Sequence, residues 1–276
     1  MTSGPDTVHK AVILARGLGT RMRRPDPGAA HDAAQARVAD AGIKAMIPIG
    51  RPFLDYVLSA LADAGITQVC LVIGPEHRAI RDYYTDTVRP ARLAIAFAVQ
   101  PDPRGTADAL SAAAGFAGPD RFLVLNSDNY YPVAGLAALR RLGGPGLLAF
   151  ERHALVTTSG LDPDRVRRYA LVAVDAAGRL VRLVEKPDEA TLAAWPPPVL
   201  VSMNCWAFGP AIFTACARVT PSPRGELELP DAVAIAMRDF GERFTAVPSA
   251  GPVLDLSTRA DISGVEQRLR GVEVRL

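Results

Sequence analysis

The chain has little cysteine, almost no imbalance of charge and no long apolar run, and each shortage removes a class of function. Its three cysteines, Cys70, Cys205 and Cys216, are odd in number, far apart and set among apolar residues. That pattern points to buried thiols and away from a disulfide framework, a metal cluster or redox chemistry. Lys+Arg at 31 against Asp+Glu at 29 leaves a formal net charge of +2. With no global basic excess to hold a nucleic-acid backbone, any anion must be recognised by local clusters. No stretch is apolar for long enough to cross a bilayer, and "MTSGPDTVHK" lacks the charged-then-apolar layout of a secretory signal. The expectation is a cytoplasmic protein with small-molecule partners, no nucleic acid and no membrane. Repeats, low-complexity segments and an obvious linker are missing as well.

What is present is material for a core, since 49% of the 276 residues are hydrophobic. "KAVILA", "QVCLVIG", "LAIAFAVQ" and "RFLVLNSD" read as strands, and "FLDYVLSALADAG", "EHRAIRDYY" and "TADALSAAAGFAG" between them read as helices. Strand and helix alternate as in a doubly wound sheet with parallel strands. Beyond about residue 145 the order loosens: "YALVAVDAAGRLVRLVEKP" reads as a hairpin and "VLVSMNCWAFGP" as a further strand. The expected fold is α/β, a Rossmann-like doubly wound mixed sheet with a smaller lobe, in one domain over 1–276 whose halves are approximately 8–145 and 146–276.

One turn carries a chemical signal. In "AVILARGLGTRMRR" a buried strand ends in glycines at 17 and 19, followed by arginines at 21, 23 and 24. Glycine lets backbone N–H groups approach phosphate oxygens, and Arg21 offers a bidentate cationic fork, so the stretch reads either as a triphosphate cradle or as a tight turn and nothing more. It is neither G-x-G-x-x-G nor G-x-x-x-x-G-K-[ST], which disfavours a Rossmann dehydrogenase and a P-loop kinase.

"LARGLGTRM", followed by the lysine of "GIKAMIPIGRPFLDYVLSAL", resembles the signature of the sugar-1-phosphate nucleotidylyltransferases, L-A-[AG]-G-x-G-T-R-[LM] with a later P-K-x-[LM]-x-P-[IV]. The resemblance runs on in order through "AVQPDPRGTADAL", "FLVLNSDNYY", "VRLVEKP", "VSMNCWAF", "RGELELPDAV" and "VLDLSTRADI". It implies a glucose-1-phosphate thymidylyltransferase-like activity. An oxygen of a sugar 1-phosphate attacks the α-phosphorus of a nucleoside triphosphate in line, giving a nucleotide-sugar and pyrophosphate. The protein's part is to place cations and donors around the phosphates beforehand. A second reading is a regulatory subunit of the same fold that senses nucleotide or sugar without catalysis.

The resemblance also implies roles for residues. Leu14, Ala15, Gly17, Gly19 and Thr20 would hold the nucleotide, Arg21 its phosphates, and Lys44 the charge near the α-phosphate. Asp128, at the carboxyl end of a strand, and Asp255 would share one Mg²⁺ with phosphate oxygens and water. Gln100 and Gly105 would meet the base. "AVQPDPRG" looks like the thymidylyl and uridylyl branch and "GTADA" like the adenylyl branch, so the base stays open. For the acceptor, Glu185 would accept from ring hydroxyls and Lys186 would meet the phosphate; without the flanking resemblance the pair reads first as an exposed ion pair. Arg224 would be a further phosphate contact, with Tyr169 and Asn204 along the pocket.

The sequence departs from the pattern at several points. Arg16 stands where a small residue is usual, Ser257 where "DLST" has its serine in place of glycine, "NSD" in place of a G-D pair, and Ala170 where glycine commonly follows the tyrosine. Ala170 and Arg16 point to an unusual sugar or a sugar-like cyclitol phosphate. The stretch 22–43 is longer than in compact members, either a lid or a tolerated surface insertion. After "VEQRLRGVEVRL" no attached repetitive acyltransferase domain is expected, and a homo-oligomer is left open.

Overall fold

The computed structural model describes residues 7–29 and 31–276. The first six residues of the stretch read for a signal, and Ala30 in the 22–43 insertion, lie outside them. Nine strands build one sheet: β1 (Lys10–Leu14), β2 (Gln68–Ile73), β3 (Ala94–Val99), β4 (Phe122–Asn126), β5 (Gly146–Glu151), β6 (Ala170–Val174), β7 (Leu180–Val184), β8 (Leu200–Phe208) and β9 (Thr245–Ser249). They run in the order β7-β6-β8-β4-β1-β2-β3, with β5 beside β8 and β9 beside β5. Strands β4, β1, β2 and β3 are parallel, and β8 is antiparallel to β4, β5 and β6. The regular half and the looser half of the sequence therefore share a single mixed sheet.

Strand β1 shows why its sequence is an uninterrupted apolar run. Ala11 and Ile13 enter the core on one face of the sheet and Val12 the core on the other, so neither face meets water. By contrast β3, among the described residues, pairs only with β2 and is partly exposed, although "LAIAFAV" is as apolar as its neighbours. Arg81 lays its guanidinium over Phe97 of this strand, 5.1 Å from the ring centroid. The hairpin β6–β7 turns on Asp175, whose Oδ1 accepts from the backbone N–H groups of Ala177 and Arg179, both at 2.9 Å.

Two local features shape the site. The pairing of β8 with β5 slips between Ser202 and Trp206, and inside the slip Asn204 adopts φ 59°. A bulge of this kind bends a strand and re-aims its side chains. Helix α1 (Thr20–Arg23) leads from the glycine turn into the insertion, and α2 (Ala33–Ala41) lies within it. Asp32 and Gln35 form a capping box at the start of α2, and Gln35 Nε2 donates to the Pro48 carbonyl at 2.9 Å. Buried Arg259 ties the segment down, donating to the carbonyls of Met22 and Arg24 at 3.0 Å each and pairing with Asp40. The insertion is thus packed onto the domain at both of its ends.

Candidate functional site

The carboxyl ends of β1, β2, β3 and β4 bring Ala15, Gly74, Gln100 and Ser127 to one edge of the sheet, the usual place for ligands in an open parallel fold. Two cavities lie there. The first, of about 390 Å³, is lined by Leu14, Ala15, Arg16, Gly17, Thr20, Lys44, Gln100, Gly105 and Asp128, among others. The second, of about 170 Å³, is lined by Arg21, Asp128, Arg168, Tyr169, Ala170, Glu185, Asn204 and Asp255, among others. Asn126 and Asp128 belong to both walls.

The glycine turn divides its labour. Nothing lies within 4 Å of where a Gly17 side chain would start, so that position opens on free space. Gly19 has φ 61°, and a methyl there would overlap the carbonyl of Gly42. One glycine leaves the backbone accessible, and the other lets two backbones touch. Gly105, at φ 120°, resembles the second: its missing side chain makes room for the backbone of Leu227. Lys44 Nζ stands 2.7 Å from Asp128 Oδ2.

Gln100 is buried, and its amide nitrogen donates to the Gly105 carbonyl at 3.1 Å and to Asp108 Oδ2 at 2.7 Å. Both partners accept only, which fixes the amide orientation and leaves Oε1 as the acceptor outside those bonds. Arg16 does not project its charge into the turn. Its Nη1 pairs with Glu76 Oε1 at 2.5 Å and its Nη2 donates to the Pro101 carbonyl at 3.2 Å.

In the second cavity Asp255 is held from three sides. It lies on a two-stranded ribbon, Leu254–Asp255 against Asn129–Tyr130. Its Oδ1 accepts from Ser257 Oγ at 2.7 Å, and its Oδ2 from the Tyr169 hydroxyl at 2.9 Å and from Arg165 Nη1 at 3.2 Å. Burial, and next the negative charge of Asp128, push this carboxyl above the usual range, while Arg165 pulls it down. The hydroxyl of Tyr169, expected along the acceptor pocket, is directed to Asp255. Ser257, where glycine is usual, donates to Asp255 and accepts from Arg21 Nη2 at 3.3 Å. Arg21 accordingly lines the second cavity and not the first.

Glu185 stands at the rim, with much of its surface open to solvent. The protein packed around its carboxyl, and then the charge of Glu228, push it up to about 7 against the pull of Arg224. Lys186, at φ 46°, lines neither cavity. Arg224 lines neither as well, because its guanidinium is taken by Glu228 at 2.6 Å and Glu226 at 3.4 Å. Arg165 and Arg168 were not expected in the site; the cluster "RVRRYA" before β6 was the available signal.

Residues 38–249 match the family described as nucleotidyl transferase. The chain is 29% identical over 262 residues to a UTP–glucose-1-phosphate uridylyltransferase of Haloferax volcanii, covering 95% of this chain and 96% of the relative. It is 33% identical over 224 residues to a glucose-1-phosphate thymidylyltransferase of Streptomyces antibioticus, covering 81% of this chain and 56% of the relative. It therefore spans nearly all of the first and little more than half of the second. A crystal structure of a UDP-glucose pyrophosphorylase complexed with UDP-glucose superimposes with a TM-score of 0.75 at 18% identity, covering 96% of this chain and 100% of the other. A UTP-bound UGPase from Acinetobacter baumannii gives a TM-score of 0.72 at 18% identity, with 97% and 95% covered. At that identity the two structures speak to the fold.

Proposed function

Since the chain belongs to the nucleotidyl transferase family, we propose that it joins a nucleoside triphosphate to a sugar 1-phosphate or sugar-like cyclitol phosphate. An acceptor phosphate oxygen attacks the α-phosphorus, the bond to the β-phosphate breaks, and pyrophosphate leaves with the electron pair, giving a nucleoside diphosphate sugar. The observation that carries this reading is the shared wall: Asn126 and Asp128 face both cavities, so a ligand in each would meet at that boundary. No observation favours the regulatory reading.

The residues have work suited to their chemistry. Gly17 exposes backbone to the triphosphate side, and Lys44 offsets charge beside Asp128. The Asp128–Asp255 pair suits a hard cation: both are oxygen donors, and the charge of one raises the carboxyl of the other. Among the described residues no group of three or more His, Cys, Asp and Glu gathers, so phosphate and water oxygens would complete the shell. Mg²⁺ held there would neutralise charge on the phosphates. Oε1 of Gln100 is an acceptor and matches a base that presents a ring N–H, as uracil and thymine do and cytosine does not. Ala170 is buried in the acceptor wall, which narrows the space for a ring substituent.

The test is a matrix of nucleotides against glucose 1-phosphate and myo-inositol 1-phosphate, scored by pyrophosphate release. UTP and dTTP are expected to exceed CTP by about tenfold or more, the value of one well-placed hydrogen bond to a base edge. Release at background level in every pairing would refute the reading.

Glu185 adds a pH dependence. Its carboxyl is raised from 4.5 to about 7, so folding disfavours the charged form, and this residue's contribution to stability declines as pH rises from 4.5 towards 7. Function runs the other way, because only the carboxylate accepts from sugar hydroxyls without competing as a donor. The acceptor KM is expected to fall by several-fold between about pH 6 and about pH 8. Glu185→Gln should flatten that profile; an equally steep profile in the variant removes Glu185 from the explanation.

A further inference from the structure

The second cavity holds its charges unevenly. Asp128 has Lys44 at 2.7 Å and Asp255 has Arg165 at 3.2 Å, so both of these carboxylates already have a cation. Two guanidinium groups on the same wall do not have an anionic partner among the described residues. Arg21 touches only the neutral hydroxyl of Ser257, at 3.3 Å. Arg168 lines the cavity and forms no ion pair or side-chain hydrogen bond among the described residues. Glu185 is the one remaining carboxylate on the wall. Two guanidinium groups without a carboxylate partner on the wall of a small polar cavity match an anionic ligand and are wasted on a neutral polyol.

Arg168 is also presented from a fixed base. It follows the helical turn Pro163–Val166, and its backbone N–H donates to the Arg165 carbonyl at 3.0 Å. Arg165 is buried and anchors that turn through Asp255 at 3.2 Å and Asp261 at 2.9 Å. The same turn thus secures the buried aspartate and sets the free guanidinium beside it. Meanwhile Lys186 lies outside the cavity wall, and Arg224 is held by two glutamates.

We infer that Arg168, together with Arg21, grips the phosphate of the acceptor, the part that the resemblance gives to Lys186 and Arg224. The inference rests on the nucleotidyl-transfer reading for the identity of the anion. A planar fork meets two phosphate oxygens at once, which a lysine cannot do, so it would fix the orientation of the attacking oxygen as well as hold its charge.

Calorimetric titration of glucose 1-phosphate and myo-inositol 1-phosphate into the whole protein tests this without requiring turnover. The better ligand is expected to bind Arg168→Gln at least about tenfold more weakly than the wild type, with Arg168→Lys intermediate, and UTP affinity is expected to stay within about twofold. In steady state the same variant should raise the acceptor KM and also lower kcat, because the attacking oxygen is no longer oriented, with the UTP KM little changed. Arg168 is exposed, and Arg168→Lys keeps the charge, so a folding defect would appear as a loss of UTP binding in both variants. The inference is overturned if the wild type binds neither phosphate, or if Arg168→Gln binds as the wild type does. It is overturned also if Lys186→Gln or Arg224→Gln weakens acceptor binding more than Arg168→Gln does. Tight acceptor binding lost in Arg168→Gln, with no pyrophosphate released by the wild type from UTP or dTTP, would uphold Arg168 and reject the nucleotidyl-transfer reading instead.

Discussion

Asp128→Asn is expected to lower kcat by about 10²- to 10³-fold while the chain remains folded. The asparagine has nearly the same shape, and the aspartate's side chain is 20% exposed at the junction of two cavities, so packing has little to lose. What disappears is the charge. Lys44 loses its partner, and a divalent cation held as proposed would lose one of its two anionic ligands. The carboxyl of Asp255 should also move down towards its ordinary value, because the neighbour that raises it is now neutral. Pyrophosphate release measured across a magnesium titration, beside far-ultraviolet circular dichroism, reads these effects separately. Unchanged magnesium-dependent turnover would remove Asp128 from the cation site.

The second large effect is on stability. Arg165→Ala breaks a buried arrangement in which one guanidinium serves Asp255 and Asp261, and it is expected to cost about 3–5 kcal/mol. Asp255 would keep Tyr169 and Ser257 as donors but lose the cation that holds its carboxyl down. Its protonation would then extend to higher pH. In the proposed cation site Asp255 acts as a carboxylate, so raising it further shifts the acid side of the activity profile upwards, and turnover should fall away at a higher pH in the variant than in the wild type. Urea unfolding midpoints give the first quantity, and pH–rate profiles the second. A loss below about 1 kcal/mol would mean that the pair merely replaces hydration of equal value.

Much of this architecture was written in local pattern. Uninterrupted apolar runs marked β1, β2 and β4, and "DAAG" between two apolar-rich runs marked the β6–β7 turn. What local pattern cannot carry is lateral order. Strand β3 is as apolar as β2, and only its place at the end of the sheet makes it an edge. The left-handed Asn204 was hidden for a similar reason, since "VLVSMNCWAF" scans as one continuous strand and the slip arises from how β5 pairs with it.

The site shows the same division. Gly17, Lys44, Gln100, Asp128 and Asp255 sit in motifs that can be read one at a time. The contacts between them cannot, because they join distant segments: Arg165 and Asp255 are 90 residues apart, and Lys44 and Asp128 are 84 apart. Arg168 drew no attention beside the glutamate and lysine of "VEKP", yet it lines the cavity and Lys186 does not. Whether a surface-type cation faces a ligand depends on the turn that carries it, and here that turn is set by a buried arginine whose neighbours in sequence give no sign of its partners.

The touching backbones of Gly19 and Gly42 have a mechanical consequence. The carbonyl of Gly42 also accepts from the N–H of Lys44 at 3.1 Å, so two peptide contacts connect the loop around Gly17 with the ammonium that answers it. The two jaws of this grip are cut from one block, and the chain that leaves one and returns to the other is a handle outside it. Lengthening or shortening that handle ahead of α2 would leave the gap between the jaws as it was, whereas a single methyl wedged between the glycines would pry them apart.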